Sequence, residues 1–289
     1  MSQDGADSRA SGWNRRLIEE QFDKETADRL RRILMNIWRE ELPTRASERP
    51  ADQRATYLVR WPLGLAAIYA EAEDSDWALR LTDEQAKLAA RFALIELNGL
   101  PVWPESLVGT HPSSVDAIVG EELSWELTQD PGNGQSILLQ SIGYAPPSVS
   151  NLFLPRFQAW LDDRGDYVGD ASGLAAAVQR LWQVIGVMLK CGSENIHAHL
   201  LAMARQRLQD SLPTEFSFVW LATAMRTNPE LGVAELERRL LEVEPAPHSE
   251  AVTWFSVLFG DRHDAINLQG AAFTPRLLLR LLRLSYRHV

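Results

Sequence analysis

The chain has a single cysteine among its 289 residues, Cys191, so no internal disulfide can form. A lone thiol fits a reducing cytoplasm. In VMLKCGSEN, Cys191 reads as a small apolar residue near a helix end. Long hydrophobic runs are also absent. The longest, such as LWQVIGVML at 181–189, fall short of a bilayer span, and the first residues, MSQDGADSRASG, lack the apolar core of a signal peptide. Strand signals are sparse, with no sustained alternation bounded by a hairpin turn and no clustering of Val, Ile and Thr. Positive charge is in deficit: the net charge is −10 and the pI about 5.2. That disfavours general binding to nucleic acid or anionic membranes, while leaving room for local basic patches. No GxxxxGK[ST] occurs, which removes the phosphate loop of an NTPase.

Tryptophan is abundant. Ten are spread from Trp13 to Trp254, and 45% of the chain is hydrophobic. Each Trp buries a large area, so packing should be distributed along the chain. After a polar tail at 1–11, expected to be disordered, the helical period dominates. In TADRLRRILMNIWRE at 26–40, Leu30, Ile33, Leu34, Ile37 and Trp38 recur at three- and four-residue steps. Similar stretches are expected to be helical at about 51–72, 82–98, 113–128, 174–190, 194–210, 214–226, 230–243, 249–260 and 275–287. Thr82-Asp83-Glu84-Gln85 is a capping box, and Asn228-Pro229 and Thr274-Pro275 each set a capping residue before a first-turn proline. Asn98-Gly99 should end the helix begun at Thr82, with Pro101 blocking its continuation and Trp103 anchoring the next helix. Pro, Gly and Asp cluster in 129–173, which reads as a looser connection inside one α-helical array over 12–289.

Two segments align without gaps. WPESLVGTHPSSVDAIVGEEL at 103–123 and WLATAMRTNPELGVAELERRL at 220–240 superpose Trp103 on Trp220, Thr110 on Thr227, Pro112 on Pro229, Ala117 on Ala234 and Leu123 on Leu240. A third start at Trp254 keeps Leu258 and Gly260 but has His263 at the proline position. The physical reading is a Trp-bearing helix, a tight turn and a proline-started helix that packs back. Such pairs need stacked neighbours to bury their faces. The expected fold is therefore all-α, a HEAT-like helical-repeat array (an α-solenoid or irregular multi-helix bundle).

The pieces FALIELNGLPVWPESLVGTHPSSV, EELSWEL and TPRLLLRLLRLSYRHV resemble the α-helical C-terminal region of very large bacterial NTPases of the STAND or NACHT-like defence type. The resemblance spans about 80–289 and rests on packing motifs. In that family the ATPase domain lies upstream, so the resemblance implies a sensing, scaffolding or regulatory array, either a fragment or a stand-alone relative.

Four constellations are candidates for chemistry. Glu194, His197 and His199 in SENIHAHLL carry a His-x-His pair, but on a helix residues two apart diverge by about 200° and would not converge on a metal. Asp261, Arg262, His263 and Asp264 contain an Asp-His pair able to orient a base, though no nucleophile elbow accompanies it. An unrecognised hydrolase centred on His197 or on Asp261–Asp264 is the alternative reading. Asp162, Asp163, Asp166 and Asp170 miss the calcium-loop pattern and fit a solvated acidic loop, and DPGNGQS at 130–136 has glycines but no lysine. The fourth constellation is Arg276, Arg280, Arg283 and Arg287, which step by four, three and four along the last helix. Leu277, Leu281 and Leu284, with Leu278 and Leu282, are expected to face inward. The arginine face fits a solvated surface paired with neighbouring acids, a contact for an acidic partner, or a phosphate track. The expectation is a non-catalytic cytoplasmic module that binds a protein partner through these arginines, with no cofactor, no metal and no membrane, and with nucleic acid disfavoured.

Overall fold

The computed structural model describes residues 12–96, 99–133, 136–164, 173–210, 212–241, 250–260, 268 and 271–288. It is all-helical, and among the described residues there is no strand. The polar tail at 1–11 lies outside the described residues. The chain forms two compact units, residues 1–163 and 164–289.

The first unit opens with α1 (Arg15–Gln21) and α2 (Lys24–Leu34), capped by Asn14 and Asp23. The pattern at 26–40 does not stay α-helical. After Leu34 a 3₁₀ turn, Ile37–Glu40, carries Trp38 into the core. Helix α3 (Arg60–Glu71) is buried along most of its length, from Trp61 to Glu71. It starts nine residues later than the expected 51, because the backbone of 49–57 is used otherwise. The Arg49 guanidinium donates to the carbonyls of Gln53 and Thr56 and lies over the Tyr57 ring. At Gly64 the chain passes so close to Phe92 of α4 (Asp83–Ala93) that a Cβ would strike the ring.

The capping box on α4 is formed. Thr82 Oγ1 accepts from Gln85 N at 3.3 Å, and Gln85 Oε1 accepts from Thr82 N at 3.1 Å. The helix nevertheless ends at Ala93, short of Gly99. Its last turn tightens, with Leu94 N and Ile95 N donating to the carbonyls of Arg91 and Phe92. Gly99 does adopt a left-handed φ of 117°, but in the turn beyond the helix; Asn98 is outside the described residues. Buried Trp103 then caps α5 (Pro104–Thr110). Tyr69, Trp103 and Trp77 stack edge to face, the Trp77–Trp103 centroids being 5.6 Å apart at 86°.

Helix α6 (Pro112–Val115), a π-helical turn (Asp116–Gly120) and α7 (Glu121–Thr128) follow without a break. The described residues of 129–173 are more helical than the Pro, Gly and Asp content of the stretch indicates. It carries α8 (Ile137–Tyr144), α9 (Pro147–Ser150) and α10 (Leu154–Arg164). Its prolines sit at helix starts, where a missing N–H costs nothing. The Glu126 carboxylate accepts from the N–H groups of Leu138 and Leu139, both at 2.9 Å, and so caps α8 from outside. One buried acid, Glu71, receives a two-pronged bond from Arg39 and a third from Trp38 Nε1, all at 2.8 Å.

The second unit is built on α11 (Leu174–Cys191), α12 (Glu194–Arg207), α13 (Thr214–Thr227), α14 (Pro229–Leu240), α15 (Glu250–Phe259) and α16 (Pro275–His288). Helix α11, at 18 residues, is longer than the apolar run at 181–189. By length and composition it could cross a bilayer, but its apolar face is buried against α12 and α13. Helix α13 is buried from Phe216 to Met225, as its nearly charge-free sequence requires. Gly232 lets α14 approach closely, since a Cβ there would collide with Met225. Both proline-started helices keep their caps: Leu231 N donates to Asn228 Oδ1 at 3.1 Å and Leu277 N to Thr274 Oγ1 at 3.3 Å.

Candidate interaction surface on the last helix

Helix α16 reads PRLLLRLLRLSYRH and contains no acid. At about 100° per residue its side chains fall into three arcs. Leu277, Leu281, Leu284 and His288 occupy an arc of about 60° and are buried. Arg276, Arg280, Arg283 and Arg287 occupy a second arc of about 60° on this helix. The third arc was not expected. Leu278 and Leu282 point outward, and with Leu279 and Tyr286 they make an apolar stripe that is 47%, 67%, 48% and 94% exposed, respectively. The reason is geometric: LLLRLLRL supplies leucine to two faces, and α14 and α15 cover only one.

The four arginines also divide. Arg280 is half-buried and works inside the fold. Its Nε and Nη2 meet the two oxygens of Glu237 at 3.1 and 2.6 Å, while Nη1 meets Glu230 at 2.9 Å. The hydrogen bond to Glu237 raises the Arg280 pKa above its ordinary value. Glu230 and Glu237 lie two turns apart on α14, so one guanidinium ties α16 along α14. Arg276, Arg283 and Arg287 are exposed, and among the described residues no carboxylate lies within ion-pair distance of them. Elsewhere most arginines of the first unit are neutralised, as in Arg15 with Glu19, Asp28 and Glu73, or Arg91 with Glu48. Three adjacent bare guanidiniums therefore stand out in an acidic chain.

Among the described residues, the other constellations do not come together in one place. His197 Nε2 donates to the Leu189 carbonyl at 3.1 Å, bonding back to the end of α11, while Glu194 lies exposed on the first turn of α12. Asp261, Arg262, His263 and Asp264 lie outside the described residues, as do Asp166 and Asp170. Asp162 and Asp163 are exposed at the end of α10. In DPGNGQS, Asp130 Oδ1 accepts from Gly132 N at 2.9 Å, which is turn chemistry. Among the described residues no three His, Cys, Asp or Glu side chains gather where they could hold a metal ion.

Sequence reasoning missed Leu279 and Tyr286 and misplaced Leu278 and Leu282. The signal was present in the wheel, where six leucines in eight residues, 277–284, cannot share one side. Compared with protein-family models, curated proteins and solved structures, the chain matches none, and its function rests on its own residues.

Proposed function

We propose that this protein is a non-catalytic, macromolecule-binding helical-repeat module of the cytoplasm, with its contact face on α16. One observation carries the reading: Arg276, Arg283 and Arg287, with no carboxylate in ion-pair distance among the described residues, stand beside an exposed stripe of leucine and tyrosine. Arg280, the fourth residue of the expected contact face, serves the fold. Uncovered apolar area next to uncompensated charge marks an interaction site far better than either feature alone.

The repeat reading draws support from local geometry. His111 and Asn228 occupy the same position in the aligned segments, with φ, ψ of −128°, 54° and −149°, 88°. Just before them, Thr110 and Thr227 each donate from Oγ1 to the carbonyl four residues back, at 2.9 and 2.8 Å. Two helix–turn–proline–helix joints thus share a construction, as stacked HEAT-like pairs would. The resemblance to the helical region of STAND or NACHT-like defence proteins makes a regulatory role in a bacterial defence assembly the fitting context.

Affinity capture from native lysate tests the proposal, with the wild type beside the triple reversal Arg276→Glu, Arg283→Glu, Arg287→Glu. A stoichiometric protein partner lost in the reversal supports it. A partner-free preparation, or capture indifferent to the reversal, sinks it.

A further inference from the structure

The α16 surface is specific enough to name its occupant. We infer that α16 docks an amphipathic helix that packs apolar side chains over Leu278, Leu279, Leu282 and Tyr286 and sets a row of acids against Arg276, Arg283 and Arg287. The inference rests on the binding-module reading and adds to it the chemistry of the partner.

Three features point to a helix with one acidic flank. The apolar stripe runs along α16 at three- and four-residue steps, the spacing that a second helix fills ridge into groove. It stays exposed although α14 and α15 already cover the opposite face, so the uncovered side is a second packing surface of the same helix. The bare arginines border the stripe on one side only. On the other side lie Ser285 and Thr274, which carry no charge.

That asymmetry decides between occupants. A second copy of the chain cannot supply the acids through α16. An antiparallel two-fold pairing sets the arginine flank against itself, and a parallel one sets it against the uncharged flank. An anionic bilayer is planar and would call for cations along both sides of the stripe, and it would have to accept a chain of net charge −10. A helix lying beside α16 meets one flank with its own flank, as e and g positions do in a coiled coil. It needs acids on that side alone.

The probe is a peptide of about five helical turns with a leucine stripe and glutamates along one flank, read by fluorescence anisotropy against the full chain. The control peptide carries lysines in place of the glutamates. The glutamate peptide is expected to bind the wild type at least about tenfold more tightly than the lysine peptide. Leu282→Glu should weaken binding about tenfold or more, and Leu282→Ala by a smaller factor, with the circular dichroism of both variants unchanged because Leu282 is exposed. The triple reversal of Arg276, Arg283 and Arg287 should invert the preference toward the lysine peptide. Equal binding of both peptides, or Leu282→Glu binding like the wild type, overturns the inference. So does binding to vesicles of anionic lipid with neither peptide bound. A native protein partner lost in the arginine reversal, with no peptide bound, removes the helical occupant while the module reading stands.

Discussion

Arg156 of α10 grips Asp116 across the bare backbone of Gly120, with Nε and Nη2 each 2.7 Å from a carboxylate oxygen. Nη1 of the same guanidinium donates to Ser124 Oγ at 2.9 Å, and Nη2 also reaches the Asp116 carbonyl at 3.2 Å. The π-helical turn Asp116–Gly120 runs directly beneath the pair. A Cβ at Gly120 would collide with both Asp116 Oδ1 and Arg156 Nε. Gly120→Ala should therefore destabilise the protein by about 1–3 kcal/mol, although alanine is the better helix former. Urea unfolding measures it, and a neutral or stabilising result would show that the pair has room to shift.

The arginines of α16 should separate by role. Arg280→Ala removes a partly exposed fork to Glu237 and Glu230 and should lower stability by about 1 kcal/mol. Reversing Arg276, Arg283 and Arg287 together should change it by less than about 0.5 kcal/mol. Thermal melts of the two variants side by side check the division.

The orientation of α16 makes a sharper contrast between neighbours. Leu281 is buried and Leu282 is two-thirds exposed. Leu281→Ala should cost about 2–4 kcal/mol, while Leu282→Ala should fall within about 0.5 kcal/mol of the wild type. Similar losses at both positions would mean that the helix is turned differently on α14.

Acid should act through Glu48. The Arg91 fork, with both bonds at 2.8 Å, holds this carboxyl down at about 2, against an ordinary value of 4.5. The folded state thus favours the ionised form. Its contribution is complete above pH 4.5 and is lost as pH falls toward 2. Glu48→Gln should cost about 1 kcal/mol at neutral pH, a modest figure because solvent reaches the pair. The gap between variant and wild type should close across that acid window in denaturant titrations.

What the sequence disclosed was short-range chemistry. The Thr82 box, the Asn228 and Thr274 caps and the shared face of the four arginines could be read because each depends on residues within one or two turns. The helices of 129–164 could not. Proline and glycine content hid them, and the cap on α8 comes from Glu126, a full helix earlier. Periodicity located leucine on α16 but could not say which leucines a neighbour covers. That depends on α14 and α15, and on Glu230 and Glu237, more than forty residues away from Arg280. The decisive part of the candidate surface, its uncovered stripe, is thus the part that only tertiary packing defines.

The nearly perpendicular rings of Trp77 and Trp103 have an optical consequence. At that separation the two indole transitions couple, so the pair should give the first unit a circular-dichroism couplet distinct from its helical bands. Trp77 comes from the turn after α3 and Trp103 from the cap of α5, and the couplet survives only while the segment between them, which carries α4, stays packed. Replacing either ring with phenylalanine would erase the signal while keeping much of the packing. The chain thus carries a built-in, label-free reporter of when its first unit opens.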